Sequence, residues 1–337
     1  SGQGLHLHTT LALLPSNAQV LGLAHQQVFK RVALPAGRKW YHRPKAERSS
    51  RVWPEAVGAI GAPPPGGRWG LVADGGADAN DLLAACRQQR IDFTIRLVYE
   101  HRLVSDDPEP AYALSTARGW PGMGHLTVEV PATAGQPARQ AQLQLSFGAI
   151  CLRMPRKLAP LPVWVVRTWE PQPPAGAEGL EWLLVTSCPV HSRDQALERL
   201  NWYLRRWVIE DYHQCLKTGC HIEHRDLEHA DRIERLLGFL ALIAVRLLQL
   251  RQDARLTPDA PAITLVEPLL VSLLVAELGL RRPTLTLRDF WRGVAHLGGF
   301  QGRRSDGDPG WKTLWRGWRY LDSLARGARL AAAAPLP

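Results

Sequence analysis

Residues 203–219 read Tyr203-Leu-Arg-Arg206-Trp-Val-Ile-Glu210-Asp-Tyr-His-Gln-Cys-Leu-Lys217-Thr-Gly, and this is the most informative segment of the chain. Its polar residues follow the spacing Y-x2-R-x3-E-x6-K. An α-helix turns about 100° per residue, so the four side chains share a stripe about 60° wide. Three charges and a phenol do not make a core face. The pattern indicates a carboxylate held among basic groups, as where a metal-binding Glu acts on a phosphate backbone. The competing interpretation is a set of surface pairs, such as Arg206 with Glu210.

The helix that carries this stripe has recognisable ends. Ser192 and Gln195 have the spacing of a capping box at its start. Gly219 suits the position just after the last helical residue. The sequence therefore predicts one helix of about 26 residues.

The segment resembles the signature of DDE transposases of the IS-four/Tn-five type, and the resemblance extends from about Gly4 to Trp318. It implies an α/β fold: an RNase H-like catalytic core with a β-rich insertion, followed by an all-helical C-terminal region. It also implies cut-and-paste DNA transposition with two divalent metal ions, Mg²⁺ or Mn²⁺. The implied partners are double-stranded DNA, as transposon ends and target, and a second copy in a homodimer.

The resemblance assigns two catalytic, metal-binding carboxylates. Asp74 matches the second catalytic Asp and Glu210 the catalytic Glu. Two-metal phosphoryl transfer needs carboxylates from separate elements to converge in this way. The family has an Arg soon after the Asp, whereas this chain has Asp74-Gly75-Gly76-Ala77-Asp78. We therefore expect a basic contact to be missing there and the glycine pair to loosen the loop.

The third carboxylate bears on activity. The resemblance places the first catalytic Asp before the hairpin at Gly4–Phe29, yet Asp74 is the first Asp, preceded only by the acids Glu47 and Glu55. We therefore expect an N-terminally truncated transposase with an incomplete metal site that does not cut DNA. The alternatives are a non-enzymatic DNA-binding, dimerising inhibitor and a structure-selective nuclease.

Five further DNA contacts follow from the resemblance. Arg206 and Lys217 would contact phosphates, and Tyr203 would donate a hydrogen bond to one. Arg96, in Phe-Thr-Ile-Arg, matches a DNA-contacting Arg. Trp182 matches a Trp that stacks near a flipped base, although burial in a β-sandwich is the competing interpretation.

Composition agrees with a polyanion partner. The 337 residues carry a net charge of +10, and residues 1–73 hold nine Lys or Arg against two acids. Five scattered cysteines give no secreted disulfide framework, and no apolar run suggests a membrane span. We expect a cytoplasmic, nucleoid-associated protein without a nucleotide cofactor.

A zinc site is the sharpest competing interpretation of the signature region. His213, Cys215, Cys220, His221 and His224 cluster as zinc ligands do. However, Cys215 and Cys220 lie on either side of the predicted end of the helix, and the sequence has no second pair of cysteines at the spacing of a zinc finger.

Local patterns predict the remaining order of elements. Two runs, Gly4–Leu14 and Gln19–Phe29, predict a hairpin, and a basic connection follows to Gly67. A strand over 68–74, a helix over Asn80–Gln89 and a strand over Ile91–Val98 form an α/β layer. Short alternating strands fill the β insertion at about 125–190.

The C-terminal part is predicted to be helical. We expect a catalytic domain at 1–230 and a dimerisation region at 231–337, with helices at Asp231–Arg251, Pro261–Leu280 and Thr286–Leu297. In the last helix, Trp311, Trp315 and Trp318 share a stripe that is more typical of a core face than of base stacking.

Overall fold

The structure, a computed structural model, describes residues 5–30, 44, 48–104, 111–130, 137–155, 158–220, 222, 229–281, 284–303 and 306–333. Contacts divide the chain into two compact units. The first comprises Ser1–His8 and His25–Arg206, and the second Thr9–Ala24 and Trp207–Pro337. The domain boundary expected at 230/231 stays a prediction.

The strands and helices follow one another along the chain in this order: β1 (Leu5–Leu13), β2 (Val20–Lys30), α1 (Val52–Ile60), β3 (Gly70–Ala73), α2 (Asn80–Gln89), β4 (Asp92–Arg96), α3 (Ala113–Arg118), β5 (Gly124–Val130), β6 (Arg139–Leu152), β7 (Leu161–Trp169), β8 (Glu181–Thr186), α4 (Arg193–Leu204), α5 (Val208–Gln214), α6 (Ala230–Leu256), α7 (Pro268–Glu277), α8 (Leu287–Leu297) and α9 (Trp311–Ala333).

A six-stranded mixed sheet organises the first unit. Its strand order is β3-β4-β8-β7-β6-β5, with β3 and β4 parallel and the remaining neighbours antiparallel. The strands of the predicted β insertion therefore continue the sheet that β3 and β4 begin. The hairpin of β1 and β2 is confirmed and forms a sheet of its own among the described strands.

Both faces of the six-stranded sheet are covered. Phe93, Ile95 and Val185 pack on one face with side chains from α1, α2 and α3. Leu184 and Val166 point to the other face, which α4 covers. This alternation follows from the period of two along each strand and fixes which side chains can share a site.

Two short helices were not predicted. The basic connection before Gly67 contains α1, which buries Val52, Ala56 and Val57. Pro54 lies in its first turn, where no hydrogen-bonded N–H is needed, so the proline does not break the helix. α3 is likewise a short helix with one buried face, formed by Ala113, Leu114 and Ala117.

The signature helix is less regular than expected. The cap by Ser192 is confirmed, since the N–H of Gln195 donates to Ser192 Oγ over 3.3 Å. The Gln195 side chain accepts over 2.7 Å from the N–H of His191, one residue before the position that a capping box uses. α4 ends at Leu204, a 3-10 turn covers Arg205–Trp207, and a π-helical turn covers Cys215–Gly219 after α5. A 3-10 turn advances about 120° per residue, so the stripe calculated for one regular helix is wrong. Gly219 is the last residue of the π turn, not a residue beyond the helix.

The second unit is built mainly of helices. The predicted helix at 261–280 is shorter than expected: α7 begins at Pro268, after a separate 3-10 turn at Ala262–Thr264. The helix predicted at Thr286–Leu297 is confirmed as α8, and Thr286 caps it, its Oγ1 accepting from the N–H of Asp289 over 3.1 Å. The stripe of α9 is a core face, with Trp311 and Trp315 buried and Trp318 half-buried.

None of the described helices is both long enough and apolar enough to cross a bilayer.

Candidate functional site

Asp74 stands where the parallel pair of strands ends. It follows β3 directly, is exposed, and keeps an extended backbone at φ −77°. Its Oδ1 accepts a hydrogen bond from the N–H of Gly76 over 2.9 Å. This bond caps a 3-10 turn at Gly75–Ala77 and sets the direction of the carboxylate.

The loop after Asp74 is held firmly, contrary to the expectation that its glycines loosen it. Asp78 Oδ2 accepts the N–H groups of Val98 and Tyr99 over 3.1 and 3.0 Å. The same carboxylate pairs with Arg102, and both side chains are buried. A Cβ on Gly75 would lie 2.5 Å from Val98 Cγ1, so the glycine allows close packing.

Arg96 lies beside Asp74. β3 and β4 pair in parallel, with Val72 opposite Thr94 and Ala73 opposite Ile95. One further step along this register brings Asp74 opposite Arg96, on the face that α4 covers. The Arg96 side chain is half-buried, and no ion pair or hydrogen bond holds its guanidinium within the described ranges. An arginine therefore lies on the strand next to Asp74, although none follows Asp74 directly in the sequence.

Trp182 lies at the same end of the neighbouring strand, β8. Arg96 pairs with Leu184 on antiparallel β8, so Trp182 is a diagonal neighbour of Arg96 on the same face. The indole is half-buried and packs against the core between the sheet and α4. The structure thus brings together Asp74, Arg96 and Trp182.

Tyr203 and Arg206 belong to the first unit as well. Tyr203 is 7% exposed and is part of the α4 core cluster, so the expectation that the whole stripe avoids the core is wrong for this residue. The guanidinium of Arg206 lies 5.9 Å from the centre of the Tyr203 ring. Tyr203 therefore has a packing role, and its predicted contact with DNA stays a prediction.

Glu210 and Lys217 belong to the second unit. Both side chains are exposed, whereas Tyr212, Cys215 and Leu216 between them are buried. The neighbouring acid, Asp211, is paired with Arg251 at 2.9 Å. Of the two adjacent carboxylates, the one that the sequence selected is therefore the one that faces outward.

The pKa of His213 depends on its burial and on the charges of Glu210 and Lys217. Burial lowers the pKa of His213, Glu210 opposes this, and Lys217 lowers it further. Its Nε2 lies 3.4 Å from Thr9 Oγ1. The net lowering favours the neutral ring, so the fixed charges here are those of Glu210 and Lys217.

The zinc interpretation finds no support in the part of the chain that the structure describes. No three His, Cys, Asp or Glu side chains there form a group able to hold a metal. The hydrogen bond between Cys215 and Cys220, together with burial, raises the pKa of Cys215. A protonated thiol is a poor zinc ligand. His221 and His224 lie outside the described residues.

The fit to a divalent metal is partial. An exposed carboxylate such as Asp74 is the hard oxygen ligand that Mg²⁺ or Mn²⁺ prefers. A complete ligand set is not formed among the described side chains. Asp74 and Glu210 each fit as one ligand.

The residues that hold the site were not identified from the sequence. Asp78 and Arg102 are 24 positions apart and meet only because β3 and β4 are neighbours. The one available signal was a second Asp four residues after Asp74. Most of the basic N-terminal segment, at 31–43 and 45–47, lies outside the described residues.

Comparison with known protein families agrees with this geometry. The family of the transposase DDE domain matches residues 69–246, more than half of the 337 residues. The transposase Tn5 dimerisation domain matches residues 242–335. The first match covers β3 through most of α6 and includes all seven predicted site residues. The mixed sheet with helices on both faces is accordingly an RNase H-like core, and the chain belongs to the DDE transposase family.

Proposed function

We propose that Asp74 and Glu210 are two of the carboxylates that act in metal-dependent phosphoryl transfer on DNA. The observation that carries this proposal is the meeting of Asp74, Arg96 and Trp182 at one edge and on one face of the sheet. A carboxylate, an uncompensated guanidinium and an indole are the groups needed to hold a metal, a phosphate and a base.

The basic residues have distinct tasks in this proposal. Arg96 binds the phosphate nearest Asp74, because its guanidinium has no carboxylate partner among the described residues. Lys217 and Arg206 contact further phosphates of the DNA. Tyr203 holds α4 against the sheet and so positions the start of this segment. Divalent metal ions, when bound, would activate the attacking oxygen and stabilise the leaving oxygen.

The polypeptide of these 337 residues is expected to bind DNA without cutting it. Residues 1–73 contain no Asp, so the third carboxylate of the family pattern has no counterpart before Asp74. A two-metal site with two carboxylates holds its ions poorly. A DNA-binding, dimerising inhibitor is the second candidate function, and the match to the dimerisation domain is compatible with both candidates.

The test is a plasmid-nicking assay with Mg²⁺ and with Mn²⁺, run in parallel with duplex binding. We expect binding without nicking, and the same result for Asp74→Ala. Nicking that Asp74→Ala abolishes would overturn the inactive assignment and support the catalytic one. Nicking that survives this change would remove Asp74 from the proposed site. In an active preparation, joining of a pre-cut 3′ end separates a transposase from a nuclease.

A further inference from the structure

Four arginines line a cleft in the second unit. The cleft has a volume of about 390 Å³, with Arg251 and Arg255 of α6 on one side and Arg288 and Arg292 of α8 on the other. Each pair is spaced i, i+4, so both its members lie on one face of their helix. Asp308 is the one acidic residue in the described lining.

The two arginines of α6 are fixed by carboxylates. Arg251 Nη1 lies 2.9 Å from Asp211 Oδ1, and its guanidinium stacks 4.7 Å from the centre of the Trp311 ring. Arg255 Nη2 lies 3.0 Å from Asp308 Oδ2. These pairs cancel two of the four positive charges and give the cleft one ordered wall.

The two arginines of α8 are not compensated. Neither Arg288 nor Arg292 has an ion pair or a side-chain hydrogen bond with any residue that the structure describes. Both are exposed, and the Arg292 guanidinium lies 5.5 Å from the centre of the Phe300 ring. Like charges one helical turn apart repel each other, so an anion between them would relieve the repulsion.

The backbone and the floor of the cleft keep these groups in place. The N–H of Arg288 donates to the carbonyl of Pro258 over 3.1 Å, which ties the start of α8 to the segment after α6. Buried Trp291 lies between the two arginines in sequence and lines the cleft. An apolar floor beneath guanidinium groups strengthens their attraction for an anion.

We infer that this cleft binds phosphate groups of a DNA backbone, in addition to the contacts around Asp74 and Glu210. Planar guanidinium groups bind phosphate oxygens in a bidentate manner, and two uncompensated ones provide a net charge of +2 for a polyanion. The choice of DNA as the source of the phosphate rests on the proposed function. A free oligophosphate has the same chemistry and is the second source to be distinguished.

The test compares the full chain with Arg288→Gln/Arg292→Gln. The matched control, Arg316→Gln/Arg319→Gln, removes two exposed charges of α9 that do not line the cleft. Fluorescence anisotropy with a labelled random duplex gives the affinity over a series of salt concentrations. Thermal unfolding with sodium tripolyphosphate probes the cleft without DNA, and polyglutamate is tested as a competitor. A further variant, Arg288→Lys/Arg292→Lys, keeps the positive charges but lacks the planar guanidinium groups.

We expect the cleft variant to bind duplex at least about tenfold more weakly at low salt. The slope of log K against log salt should shrink by about 1.8, since each phosphate contact contributes about 0.9. The control should keep the wild-type slope, and the lysine variant should recover part of the affinity. Tripolyphosphate should raise the Tm of the wild type and not that of the cleft variant.

Four results would overturn the inference in different ways. Equal duplex binding by the wild type and the cleft variant, with no tripolyphosphate effect on the Tm of either, rejects the cleft as an anion site and leaves the proposed function standing. A tripolyphosphate effect confined to the wild type, with equal duplex binding, assigns the cleft to a free oligophosphate. If polyglutamate displaces the labelled duplex as effectively as tripolyphosphate does, the cleft is assigned to an acidic peptide. A wild type that binds no duplex rejects both the cleft and the proposed function.

Discussion

Asp74 and Asp78 both follow β3, and their surroundings give the two carboxylates different tasks. Asp74 is exposed and uses Oδ1 to cap the next turn, while Asp78 is buried and is bound by two N–H groups and Arg102. Arg102 also donates to Asn80 Oδ1 over 2.6 Å. The buried carboxylate of Asp78 thus fixes the loop, and the loop sets the orientation of the exposed carboxylate of Asp74.

We predict that Asp78→Ala destabilises the protein by about 3–5 kcal/mol, because it leaves a buried guanidinium without its counter-charge. The free energy of unfolding in urea measures the loss. Glu55→Ala is the matched control, since it breaks the exposed i, i+4 pair with Arg51 at 2.9 Å. That change should cost about 0.5 kcal/mol or less. Losses of similar size in the two variants would mean that water compensates Arg102.

The sequence could single out Asp74 but not its neighbours. The resemblance assigned Asp74 and Arg96 separately, 22 positions apart, and only the parallel register places them side by side. Burial of Tyr203 was missed for a related reason: a phenol on a charged stripe looks polar, yet its ring fills the core beneath α4. Side-chain roles that depend on a partner strand lie beyond what local spacing can predict.

At the scale of elements, α8 and α9 cross at two glycines. A Cβ on Gly317 would lie 1.7 Å from the carbonyl oxygen of Val294, and one on Gly298 would lie 1.8 Å from that of Thr313. Backbone atoms cannot move aside as a flexible side chain can. The close approach of the two helices therefore requires glycine at both positions.

Gly317→Ala should destabilise the protein by about 2–3 kcal/mol, because the helices must separate to admit the methyl group. Gly327→Ala lies on the same helix, has open space around its Cβ, and should stabilise by up to about 1 kcal/mol through helix propensity. Urea unfolding of both variants measures the contrast. A stabilised Gly317→Ala variant would contradict the close crossing.

Most elements were predicted where periodicity and caps are strong, as in α2, whose bounds agree, and α8. α1 was missed because Pro54 and Gly58 hide a short apolar face. The 3-10 and π turns of the signature segment were missed because sequence spacing assumes a regular helix. Irregular turns of this kind are frequent at functional sites.

At the scale of the whole molecule, pairing between distant strands determines the sheet. β4 pairs with β8 through Arg96 and Leu184, which are 88 positions apart, so the predicted insertion is part of the same sheet. Alternation along each strand predicted the strands but not their neighbours. The meeting of Asp74, Arg96 and Trp182 depends on that pairing and was out of reach of the sequence alone.

The net charge of +10 and the match to a dimerisation domain suggest two kinds of association with different physics. DNA binding that releases counterions weakens steeply with salt, whereas apolar association does not. Exposed Leu242, the first residue of the matched region, and exposed Phe239, three residues before it, offer apolar surface on α6.

We predict that raising salt from about 50 to about 200 mM lowers duplex affinity by at least about tenfold. Over the same range, sedimentation velocity should keep giving twice the chain mass of 37.5 kDa. A mass that falls to that of one chain as salt rises would show that charges hold the dimer. Affinity that does not change with salt would contradict binding through the phosphate backbone, since every Arg or Lys contact with a phosphate adds to the salt slope.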